Sequence, residues 1–186
     1  MTKNSIKNAV IVIAVLCAGI IVAYLAVLNA PKEEETAKIS PASKILSQNY
    51  EEDYPATPRE VVKAYADISQ CYYDPETTEE EIAGLAKMMR QLFDPELQAN
   101  QSYDDYLNSL RAEILLYRQA EKIITSYSVS SGADVKYTTN ENGELATLFL
   151  TFNIRENGKI NRVKEQFILR KDAGKHWRML GWQLAE

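Results

Sequence analysis

The strongest constraint on this chain is Ala9 to Leu28, twenty consecutive residues without a charge, AVIVIAVLCAGIIVAYLAVL. As a helix rising 1.5 Å per residue, such a run spans roughly 30 Å, the thickness of a bilayer core. Hydrocarbon penalises unpaired backbone groups, so a segment inside it must be helical. Lys3 and Lys7 precede the run, and Glu33, Glu34 and Glu35 follow it. By the positive-inside rule the N-terminus is then cytoplasmic and everything after the run lies outside. The expected placement is single-pass in a cell membrane, with residues 1–8 cytoplasmic, 9–28 the anchor in contact with the lipid bilayer, and the C-terminal domain outside. A cleaved signal peptide is the rival reading. Its apolar region is normally shorter, and Leu28-Asn29-Ala30 before Pro31 is a poor cleavage site.

Charge and cysteine content narrow the rest. Removing Lys3 and Lys7 from the 21 basic residues leaves 19 against 26 acidic ones, with no Lys/Arg cluster. That argues against a nucleic-acid partner, whose phosphates need neutralising. Of the two cysteines, Cys17 falls in the apolar run and Cys71 stands alone in the remainder, so no disulfide can staple the domain. Residues 29–56 hold Pro31, Pro41 and Pro55, an acidic triplet and few apolar residues. They read as an extended tether.

Folding is expected to begin at Thr57-Pro58-Arg59-Glu60, where a capping residue, a proline at the first helical position and a capping-box glutamate coincide. Val61, Tyr65 and Ile68 continue the helical period to about Cys71. Thr78 with Glu81 starts a second helix, whose apolar face is Ile82, Leu85, Met88, Met89 and Leu92. Asp94 caps a short piece through Leu97, and Ser102 with Asp105 opens a third long helix to about Lys122. From Ile123 the period becomes two. Residues 123–139 read as one bulged strand or two short ones. Turns at Asn140–Gly143, Glu156–Lys159 and Asp172–Lys175 separate three further strands, an antiparallel meander. Three helices ahead of a meander predict an α+β domain over 57–186, the helices packed on the apolar face of the sheet.

The stretches Gln166–Asp172 and Gly174–Trp182 resemble the closing hairpin of the nuclear-transport-factor-like (ketosteroid-isomerase-like) superfamily. The resemblance implies a strongly curved antiparallel sheet wrapping the helices around a cone-shaped cavity. The whole chain is also similar to an uncharacterised family of single-pass bacterial envelope proteins. The marks of that family here are Cys71-Tyr72-Tyr73, Leu92-Phe93-Asp94, Ser126-Tyr127-Ser128-Val129 and the Phe167–Trp182 hairpin. Neither resemblance carries a catalytic residue onto this chain, because no motif fixes one.

One residue breaks the alternation. Glu165 shares a strand face with Val163, Phe167 and Leu169. If that face lines a cavity, the carboxyl is desolvated and its pKa rises. If a bulge near Arg162 shifts the phase, Glu165 points to water or pairs with a basic neighbour. Tyr106, Tyr117 and Tyr127 lie in elements able to face the same cavity, and Trp177 and Trp182 are expected as core or rim aromatics, Trp182 closing the core. His176 is the single histidine, with no ligand-spaced Cys or carboxylate, so no metal is expected. Cys71 has no motif bringing a histidine to it. No cofactor loop is present. The expected function is a non-enzymatic, membrane-tethered envelope domain with a protein partner or homodimer. The alternative is a small-ligand module using the cavity, with an isomerase or hydrolase behind it.

Overall fold

The structure is a computed structural model that describes residues 39–141 and 143–185. Its elements are α1 (Pro41–Leu46), α2 (Pro58–Tyr72), α3 (Glu79–Gln91), α4 (Pro95–Ala99), α5 (Tyr103–Gln119), β1 (Ile123–Val129), β2 (Lys136–Asn140), β3 (Gly143–Glu156), β4 (Lys159–Lys171) and β5 (Trp177–Leu184). The helix starts follow their caps. Thr57 and Thr78 each close a reciprocal capping box, with Glu60 and Glu81, and the Asp94 and Ser102 side chains accept from the first turns of α4 and α5.

The sheet is antiparallel with order β1-β3-β4-β5, and β2 also pairs with β3. β1 and β2 therefore lie end to end along the 14-residue β3, β1 against Leu150–Arg155 and β2 against Gly143–Thr147. Two short strands, rather than one bulged strand, occupy 123–140. Asn157 and Gly158 both have positive φ in the β3–β4 turn, which suits the right-handed twist of a two-residue hairpin. Alternate residues of β3 (Ala146, Leu148, Leu150, Phe152 and Ile154) are buried, and with Phe167, Leu169 and Met179 they make the apolar face. α2 lies on that face, α3 packs on α2, and α4 lies against β5. Main-chain bonds stitch the helical layer to the sheet edge: Met179 N–H donates to Leu92 C=O and Asp94 N–H to Met179 C=O, both at 2.8 Å.

Three expectations are corrected here. The sheet is open and uncurled, with a linear strand order, and does not form the strongly curved cone implied by the nuclear-transport-factor-like resemblance. Its meander is regular: β3 and β4 pair without interruption from Glu156↔Lys159 to Leu145↔Arg170. Second, among the described residues no helix is long and apolar enough to cross a membrane. The longest, α5, has 17 residues and carries Asp104, Asp105, Arg111, Glu113 and Arg118. The anchor expected at 9–28, with the cytoplasmic segment 1–8, lies outside the described residues. The single-pass placement, the lipid-bilayer contact and the membrane-tethered envelope function expected from the sequence are corrected on that ground: no described helix could span a bilayer. Third, the part of the expected tether that is described is packed. Ala42 of α1 and Tyr50 are buried, and the Tyr54 hydroxyl donates to the Trp177 carbonyl at 2.9 Å.

Candidate functional site

A cavity of about 390 Å³ lies between the apolar face of the sheet and the helices. β4 supplies Val163 and Glu165 to its wall, β3 Phe152 and Ile154, β5 Trp182, α2 Tyr65 and Tyr72, and α5 Tyr106, Glu113 and Tyr117.

Glu165 reaches this wall because β4 keeps phase. Glu165 pairs with Leu150, and Phe167 with Leu148, in one unbroken register, so no bulge at Arg162 turns the carboxyl outward. Its Oε2 is sequestered from solvent and has no hydrogen-bond partner among the described residues. Burial, and then the charge of Glu113, push its pKa up from 4.5 to about 7.

The aromatic walls are interlocked. Tyr65 meets Phe167 edge-on at 5.0 Å and lies 5.3 Å from Trp182, which stacks on Phe167 at 6.0 Å. Tyr73 stacks on Tyr117 at 4.0 Å, and its hydroxyl donates to Glu113 Oε1 at 2.7 Å. Tyr106 meets Phe93 edge-on at 5.9 Å. Burial raises the hydroxyl pKa of Tyr65, Tyr72, Tyr73, Tyr106 and Tyr117, so these rings stay neutral donors. The Tyr72 hydroxyl is also sequestered. It makes no hydrogen bond of good geometry, although it interacts electrostatically with Tyr106. Arg90, the cation in the lining, is already engaged: it donates to the Gln101 and Gln98 carbonyls at 3.0 and 3.1 Å and lies 5.8 Å from the Tyr106 ring centroid.

The six residues singled out in the sequence divide. Glu165, Tyr106, Tyr117 and Trp182 line the cavity, whereas Tyr127 and Trp177 do not. The Tyr127 hydroxyl donates to Asp67 of α2. Trp177 is buried at the other end of β5, against Tyr137. Trp182 does not close the core; it remains 38% exposed. Sequence reasoning missed Glu113, Tyr65, Tyr72 and Tyr73 as neighbours of Glu165. The Tyr72-Tyr73 pair at the end of α2 was the available signal.

Metal and nucleophile chemistry find no assembled groups. Among the described residues no set of three His, Cys, Asp or Glu side chains could hold a metal ion. The Cys71 thiol is buried and pushed up to about 11 by desolvation. His176 packs 4.8 Å from Tyr54, in a different part of the fold.

No curated protein matches the chain. Among solved structures, a similar one is the crystal structure of CagV, a VirB8 homolog of T4SS from Helicobacter pylori. It is 13% identical, covers 68% of this chain and 97% of that one, and has a TM-score of 0.37. Likeness of that degree carries no argument here. Residues 1–182 fit a family described as a domain of unknown function, DUF6715, and the chain belongs to that family, without a membrane-spanning helix among the described residues to support the single-pass part of the resemblance.

Proposed function

We propose that the described domain is a small-ligand binding module and that the cavity between α5 and the sheet is its binding site. One observation carries the reading. A carboxyl oxygen without a partner among the described residues, on Glu165, stands in a wall made largely of aromatic and aliphatic side chains. Buried polar groups are ordinarily hydrogen-bonded, so an orphan in a cavity points to a partner the protein does not itself supply. The volume falls at the lower end of the usual range for ligand pockets, which combine apolar walls with a few polar groups. The candidate site residues are Glu165, Tyr106, Tyr117 and Trp182, joined by Glu113, Tyr65 and Tyr72.

The test is a fragment screen followed by NMR on the full-length chain. Binders should shift side-chain signals of Tyr65, Tyr106 and Trp182 together and leave Trp177 unmoved. Val163→Phe fills the cavity from β4. It should abolish those shifts while keeping the fold, read by circular dichroism. Fragments that bind elsewhere on the surface, or equally well to Val163→Phe, would refute the site.

A further inference from the structure

Resting on that reading, we propose that the ligand is an organic cation, an aromatic or short-chain amine whose ammonium group pairs with Glu165 while its apolar body lies among the cavity rings. Three independent features select this class.

The first is the sign of the cavity. Its two carboxyl groups are Glu165 in the sheet wall and Glu113 on α5, and Arg90 is spent on two backbone carbonyls. An anion entering there meets two carboxyls against one guanidinium whose donors are turned to backbone carbonyls, so with Glu165 ionised the cavity carries a net negative charge. The second is the state of the carboxyls. Glu113 already accepts the Tyr73 hydroxyl, whereas Glu165 Oε2 accepts nothing. An ammonium has donors and no acceptor, which matches an acceptor left empty. A neutral alcohol offers one donor and leaves the buried charge unpaired. The third is the wall. Tyr65, Tyr106, Tyr117 and Trp182 line the cavity together with the two carboxyls, and ring faces attract cations most strongly where water is excluded. The same rings accommodate the apolar body, so both halves of an amphipathic amine are satisfied in one site. The charged and titratable groups facing Glu165 are Glu113 and Tyr117 on α5 and Tyr65 on α2; no histidine is among them.

The experiment uses the full-length chain at pH 8 and three probes of one shape: 2-phenylethylamine, 2-phenylethanol and phenylacetate. Binding is read by calorimetry and by the fluorescence of Trp182. The amine is expected to bind about tenfold or more tighter than the alcohol, as a paired and desolvated cation should. Phenylacetate should bind weakest. In Glu165→Gln the amine and the alcohol should come within about twofold of one another. Glu113→Gln gives an independent check and should shrink the amine preference without abolishing binding. If the alcohol or phenylacetate binds as tightly as the amine, or if the preference survives Glu165→Gln, the amine assignment is overturned while the cavity remains a binding site. If no probe binds and a wider screen leaves the cavity signals unmoved, both readings fall.

Discussion

At the scale of single residues the decisive group is Glu165. Its carboxyl pKa is raised from 4.5 to about 7, by burial first and by Glu113 second. A raised carboxyl pKa means that the folded protein binds the proton more tightly than the unfolded chain. The associated stability is fully present below about pH 4.5 and is lost as pH rises through about 7. A shift of that size is worth about 3 kcal/mol in full, and partial exposure to solvent brings it to about 1–2 kcal/mol. Glu165→Gln should therefore stabilise the protein by about 1–2 kcal/mol at pH 8 and change little at pH 4. Urea melts at the two pH values check this, and an equal effect at both would remove the desolvation argument. The position of Glu165 was legible in the sequence because a strand has period two and only this residue broke the apolar face. Part of its surroundings was not legible. Glu113 lies on α5 and Tyr73 just past α2, and their meeting depends on the crossing of elements, which no local period encodes. The same limit explains Tyr127. Its face was readable, but its bond to Asp67 across to α2 takes its hydroxyl out of the cavity wall.

At the scale of elements, β5 shows how one extra residue changes a strand. Strict alternation from Trp177 and Met179 would put Trp182 on the opposite face. The register instead runs Leu169↔Met179 and then Ile168↔Gly181, so Leu180 is bulged and Trp182 returns to the side of Phe167. The two tryptophans then have different tasks. Trp177 is 6% exposed and belongs to the core, whereas Trp182, at 38%, walls the cavity. Trp177→Ala should cost about 3–5 kcal/mol, the usual loss for a buried large aromatic. Trp182→Ala should cost less than half of that, because part of its surface already faces water. Denaturant melts of the two variants compare them directly, and equal losses would put Trp182 back in the core. The helices were more legible than this strand. Their starts are written in capping residues at fixed spacing, Thr57 with Glu60 and Thr78 with Glu81, and each box forms as the sequence reads. A bulge carries no such signature, so the side on which Trp182 falls was not legible from β5 alone.

At the scale of the whole molecule, the domain starts earlier than its first strong helix signal. Prolines, acids and scattered small residues before Thr57 read as a tether, and α1 is six residues long, too short to declare itself by period. What holds it is complementary surface. Gly84 leaves α3 bare where Leu46 lies, and a Cβ there would come 2.8 Å from Leu46 Cδ2. Glu81 Oε1 accepts the Ser40 and Ser43 hydroxyls at 2.6 and 3.1 Å. Tyr50 is buried, and Tyr54 carries the Arg178 guanidinium 4.2 Å above its ring while its hydroxyl donates to Trp177 C=O. These contacts reach both α3 and β5, so residues 39–56 clasp the helical layer to the last strand. A chain beginning at Thr57 loses all of them. Burial of Tyr50 and Tyr54, with Ala42 and Leu46, is worth roughly 3–6 kcal/mol by apolar area. Compared with a chain beginning at Ile39, the shorter one should be destabilised by that amount in urea and should lose the environment of Trp177, seen as a red shift in its emission. Gly84→Val, which crowds Leu46 while leaving the chain whole, should produce part of the same loss. Melts of the two chains agreeing within about 1 kcal/mol, the usual uncertainty of such extrapolations, would return residues 39–56 to the tether and place the domain boundary at Thr57.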